Sequence, residues 1–80
     1  MLIRSQNKEI LVNAINISIE TSKKKATIYA TYAANHGLQA NVSEIGDYKD
    51  KEAAIKELDD LISFFNDTPA GVYPGIYQMK

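Results

Sequence analysis

One histidine, His36, and no cysteine leave this 80-residue chain little material for metal ligation or nucleophilic catalysis. A zinc constellation built from paired histidines or Cys/His sets cannot be assembled from one such side chain. His36 lies in Asn35-His36-Gly37, a turn-type sequence, and is expected to be a polar turn residue. Four carboxylates, Glu52, Glu57, Asp59 and Asp60, fall close together. Paired carboxylates do acid–base work only where burial or neighbours drive their pKa values apart, and these four are expected on a solvated helix face. The glycines, Gly37, Gly46, Gly71 and Gly75, lack the spacing of a phosphate-binding loop. The sequence therefore predicts no catalytic, cofactor-binding or metal-binding residues, and a chain that is not an enzyme.

Two features point instead to binding. Lys23-Lys24-Lys25 precedes a strand whose outward residues include Tyr29, a basic turn beside an aromatic that suits phosphate contact and base stacking. The segment after the helix carries Tyr73, Ile76, Tyr77 and Met79, too much apolar surface to leave in water. It is expected to dock on its own domain or on a protein partner, since tyrosine joins an apolar body to a wet tip.

The bulk composition bounds both readings. Nine basic and ten acidic residues give a formal charge of −1, which disfavours a general nucleic-acid binder without excluding a local basic patch. A 45% hydrophobic, 24% charged composition is that of a globular chain, and residues 1–80 form one domain. No stretch approaches the roughly 20 apolar residues of a membrane helix, and the opening Met1-Leu2-Ile3-Arg4-Ser5-Gln6 has no signal-peptide core. A cytoplasmic location is the expectation.

The elements that would position these residues are legible from periodicity. Met1 to Arg4 and Glu9 to Val12 form a candidate hairpin across the polar Ser5-Gln6-Asn7-Lys8. Ile15, Ile17 and Ile19 alternate with polar residues, the pattern of a half-buried strand. Ile10, Val12 and Ala14 lie in the opposite phase, which requires either a bulge near Asn13-Ala14 or two separate strands. A strand over Ala26 to about Ala34 is expected to turn Ile28, Ala30, Tyr32 and Ala34 inward and Thr27, Tyr29, Thr31 and Ala33 outward. A third strand from Leu38 to Tyr48 contains Val42 and bends at Glu44-Ile45-Gly46. Asp50 N-caps a helix whose stripe is Ala54, Ile55, Leu58, Leu61, Ile62 and Phe65, ended by Asn66-Asp67-Thr68-Pro69.

Several stretches together resemble small uncharacterised proteins of Firmicutes and their phages or mobile elements. They are Ile3-Arg4-Ser5-Gln6-Asn7-Lys8, Leu11-Val12-Asn13 with Ile17, Gly46-Asp47-Tyr48, the helix Lys51 to Asp60, and Ile76-Tyr77-Gln78-Met79. The shared pattern is I-R-S-Q-[DN]-K, then L-G-x-Y, then a helix, then Y-x-M-P. This chain departs from it at Ile45, where leucine is usual, and at Lys80, which replaces the proline. The resemblance implies a Gram-positive, cytoplasmic, phage-related origin. It implies no activity, and no functional residue is carried over from it.

The fold expectation is α+β: an antiparallel sheet of three to five strands over about residues 1–48, with one face covered by a helix over about 50–66 and an ordered tail. A homodimer is expected, because one helix leaves the Thr27–Tyr29–Thr31–Ala33 face and at least one sheet edge open. The leading functional expectation is a non-enzymatic protein-interaction or accessory module of a mobile element. The alternative is a nucleic-acid-binding module using Lys23, Lys24, Lys25 and Tyr29.

Overall fold

The computed structural model describes residues 1–33, 40–69 and 71–80. The fold is α+β, with six strands and one helix among the described residues. Ala34, Asn35, His36, Gly37 and Leu38 lie outside the described residues, and with them the expected turn at His36. No helix among the described residues is long and apolar enough to cross a membrane.

Two three-stranded sheets replace the single sheet expected from the sequence. In the first, β1 (Leu2–Arg4) is central, antiparallel to β2 (Leu11–Asn13) and parallel to β6 (Ile76–Gln78). In the second, β3 (Asn16–Thr21), β4 (Ala26–Ala33) and β5 (Ala40–Tyr48) form an antiparallel meander. The phase change after Val12 is thus a division into two strands. Ala14 is buried where they meet, and Ile15, placed in the core by its alternation, is 66% exposed. The bend foreseen near Ile45 is a bulge: Ile28 faces Gly46 and Tyr29 faces Glu44, so Ile45 is the unmatched residue. Ile45 is buried at that point.

The parallel β1–β6 pair is a correction to the all-antiparallel expectation. That expectation rested on turns too short for a crossover, but the helix itself supplies the long connection between β1's sheet and β6. Gly75, at φ +85°, turns the chain into β6, a conformation glycine adopts without steric cost.

Helix α1 spans Lys51–Asn66, with the Asp50 carboxylate accepting from the Ala53 amide at 2.9 Å. At its end the Asp67 amide donates to the Ser63 carbonyl, and the Thr68 hydroxyl to the Phe64 carbonyl. The helix packs against β3, β4 and β5. Its inner face is rotated from the expected stripe: Ala54, Glu57 and Leu61 are buried, and Leu58, Phe64 and Phe65 are half-buried. Ile55 and Ile62, expected in the core, are exposed at its edge.

The core joins both sheets: Ile3, Val12, Ala14, Ala26, Ile28, Ala30, Ile45, Ala54, Leu61, Tyr77 and Met79. Ile17, Ile19 and Tyr32 pack at its margin, whereas Val42, expected inside, is exposed on the outer side of β5. Register explains Val42. It pairs with Thr31, and opposed residues of an antiparallel pair point to the same face, away from α1.

Candidate functional site

The polar turn after β1 folds on its own side chains. The Ser5 amide donates to the Ile10 carbonyl at 2.8 Å, and the Ile10 amide returns to the Ser5 hydroxyl at 3.0 Å. Asn7 accepts from the Ser5 hydroxyl and from the Glu9 amide, an Asx-type closure that holds Lys8 at φ 68°. Gln6 reaches further. Its amide donates to the Ile45 carbonyl at the β5 bulge, its side-chain carbonyl accepts from the Asp47 amide, and its side-chain NH2 donates to the Lys80 carbonyl. Gln78 answers from β6 by donating to the Ser5 carbonyl at 2.9 Å. A cleft of about 300 Å³ runs along this corner, lined by Ser5, Gln6, Asn7, Glu44, Ile45, Gly46 and Asp47. The side-chain groups of Ser5, Gln6 and Asn7 are engaged in holding the chain's own backbone and one another. The turn Ser5-Gln6-Asn7-Lys8 is therefore a corner clamp.

The opposite end of the same network centres on Glu57. The helix carboxylates are expected mainly on its exposed side, but Glu57 is 4% exposed. One of its oxygens accepts from the Tyr77 hydroxyl at 3.1 Å and the other from the Lys80 amide. An acidic side chain is tolerated inside a helix–sheet interface because both oxygens meet donors from the tail. Tyr77 in turn packs edge-on to Phe64, with ring centroids 5.3 Å apart. Lys80 forms an ion pair with Asp60 at 3.4 Å.

Tyr48 completes the cluster. Its ring lies against Gly46: a Cβ on that glycine would stand 2.8 Å from the Tyr48 hydroxyl. That hydroxyl is buried, has no hydrogen-bond partner among the described residues, and borders a cleft of about 200 Å³ shared with Ala53, Lys56, Glu57, Asp60 and Lys80. Burial first, and then the Glu57 charge, push the Tyr48 and Tyr77 phenols well above the usual tyrosine range. Phenols held in that state donate hydrogen bonds and are poor general bases. The arrangement can latch a strand.

The residues singled out from the sequence separate into different places. Tyr77 and Met79, expected on a protein interface, are turned into the chain's own core. Tyr73 and Ile76 stay exposed, at 69% and 52%. Lys23, Lys24 and Lys25 are exposed in the β3–β4 turn, where Lys25 pairs with Asp47 at 3.4 Å. Tyr29 sits half-buried on the outer face of β4, between Ser18 and Glu44. Asp47 accepts from the Thr27 hydroxyl at 2.7 Å, and this bond, aided by Lys25, holds its carboxyl below the usual range. Carboxylates thus neighbour the aromatic and neutralise part of the basic turn.

Sequence reasoning missed the outer face of the first sheet. Ile76 and Asn13 flank Leu2, while Gln78 and Leu11 flank Arg4. All six share one face, opposite the buried Ile3, Val12 and Tyr77. Leu11 is 56% exposed there, next to Arg4 and diagonal to the half-buried Leu2, whose own neighbour on β6 is the exposed Ile76. No periodicity could have shown this, because each strand has only three residues. Comparison with protein-family models, with curated proteins and with solved structures gives no match.

Proposed function

We propose that this chain is a non-enzymatic protein-interaction module that binds a partner on the outer face of the β1–β2–β6 sheet. The observation that carries this reading is the apolar pair Ile76 and Leu2, with Leu11 on the diagonal across β1 and the exposed Val72 and Tyr73 earlier in the chain. Exposed apolar side chains on one face, interleaved with the polar Arg4, Asn13 and Gln78, suit a protein surface better than a nucleic acid. The use of both Glu57 oxygens by the tail supports a structural rather than a catalytic role for the only buried carboxylate among the described residues. The likeness to small phage-related proteins of Firmicutes supports an accessory or regulatory role in a mobile element.

The test captures partners from the native cell with full-length chain, then measures binding of the purified partner by calorimetry. Deleting the tail would be uninformative, because β6, Tyr77 and Met79 belong to the core. Leu11→Glu and Ile76→Glu are the appropriate variants, and each is expected to weaken binding at least about tenfold, the loss of one anchoring contact. Charge reversal at Lys23, Lys24 and Lys25 is expected to leave binding unchanged. Equal affinity for all variants overturns the reading. Salt-sensitive binding of short DNA or RNA that disappears with the lysine reversal would move the function to the basic turn and Tyr29.

A further inference from the structure

The sheet edges of this molecule are not treated alike. β5 is interrupted by its bulge, and Gln6 takes the outward Ile45 carbonyl and Asp47 amide. β2 and β6 are only three residues long, and Pro74 with Gly75 precedes β6. Short edges, bulges, prolines and covering side chains are the devices by which sheets avoid pairing with other chains. β3 has none of them over Asn16 to Ile19. It pairs with β4 on one side and with no strand on the other among the described residues, although it runs six residues. Alternate residues of such a strand direct both N–H and C=O outward, unpaired.

We propose that β3 pairs with β3 of a second copy of this chain, antiparallel about a two-fold axis through Ser18, joining two three-stranded sheets into one of six strands. The occupant follows from the strand's own residues. A two-fold axis normal to the sheet keeps the helix-covered faces of both copies on one side, so inward residues meet inward residues. Centred on Ser18, the pairing sets Ile17 against Ile19 of the other copy, twice, and covers two isoleucines that are only half-buried in one chain. On the outer side Ser18 meets Ser18, and Glu20 meets Asn16 of the other copy, so no like charges oppose. Lys23, Lys24 and Lys25 lie past the paired segment, and a chain of net charge −1 adds little repulsion. This surface is separate from the Leu2–Leu11–Ile76 face, and either can fail without the other.

The absence of cysteine makes the test clean. Directly opposed Cα atoms in an antiparallel pair stand about 4.5–5.5 Å apart, inside the range a disulfide spans. Ser18→Cys is therefore expected to oxidise to a covalent dimer at least about tenfold faster than Lys24→Cys in the adjoining turn. Sedimentation of the native chain is expected to give twice the chain mass at high concentration. Ser18→Lys, which opposes two ammonium groups at an exposed position, is expected to give the single mass with an unchanged circular dichroism spectrum. A native chain of single mass at every concentration overturns the proposal. So does a Ser18→Lys dimer as tight as the native one, or a Ser18→Cys variant no faster to cross-link than the control.

Discussion

In the β3–β4–β5 meander, strands of six, eight and nine residues pair in register along most of their length. In the β1–β2–β6 sheet each strand has three residues, and the order of the strands follows neither the chain nor a hairpin alone. The long strands are linked by a turn that closes locally, Ser22 to Lys25 at 2.8 Å, and carry their own alternation. The short ones are held by side chains from far along the sequence: Gln6 and Gln78 across the corner, and Glu57 across the helix. A ladder of backbone bonds specifies register by itself. Three-residue strands cannot, and their placement falls to a few polar contacts, of which the Tyr77–Glu57 bond is buried.

The contrast predicts where the molecule is most vulnerable. Glu57→Ala strips acceptors from the Tyr77 hydroxyl and the Lys80 amide at once and is expected to cost about 3 kcal/mol in urea unfolding. β6 should lose hydrogen-exchange protection before β4 does; equal loss in both sheets would erase the distinction. The same cluster sets an alkaline limit. A phenol raised in the folded state contributes stability that is complete below its unfolded value of about 10 and is lost as pH rises toward the folded value. Tyr48 and Tyr77 should therefore ionise late or only with unfolding, and Glu57→Ala should bring both part of the way back, since burial, the larger cause, remains. Absorbance of the phenolates during an alkaline ramp measures this.

A smaller effect is expected at the corner. Gln6→Ala frees the Asp47 amide and the Lys80 carbonyl, both reachable by water, and should cost about 1 kcal/mol. Cooperative loss of both sheets in this variant would mean the clamp organises more than its own corner. The smallest change is expected inside the meander. Thr27→Val removes the hydroxyl that Asp47 accepts, at a cost of about 0.5–1 kcal/mol at neutral pH. Asp47 is depressed in the folded state, so its contribution is present above the unfolded value and lost as pH falls through the folded one. Thr27→Val should raise the Asp47 midpoint, followed by NMR, and flatten the acid side of the stability profile. No movement of that midpoint would mean that the Thr27 hydroxyl is not what holds the Asp47 carboxyl low.

Local signals carried much of this fold. Asp50 as a cap, the stop before Pro69, the alternation of β3 and the bend at Ile45 are each decided within a few residues, by capping, steric and pleating rules that act along the chain. The rotation of α1 was beyond those rules. By hydropathy Ile55 and Ile62 belong inside and Glu57 outside, yet Tyr77 and Lys80 supply donors that make the carboxylate the better buried partner. The parallel placement of β6, the burial of Tyr77 and Met79, and the apolar cluster on the first sheet likewise depend on contacts between segments distant in sequence, such as Leu2 with Ile76, Glu57 with Tyr77 and Gln6 with Lys80. The strands of the meander, the helix and its ends are settled by neighbours in the chain, and so were legible in the order of residues. Which helix face is buried and which tyrosines are exposed became visible in three dimensions alone, because a side chain's burial depends on the partner it meets.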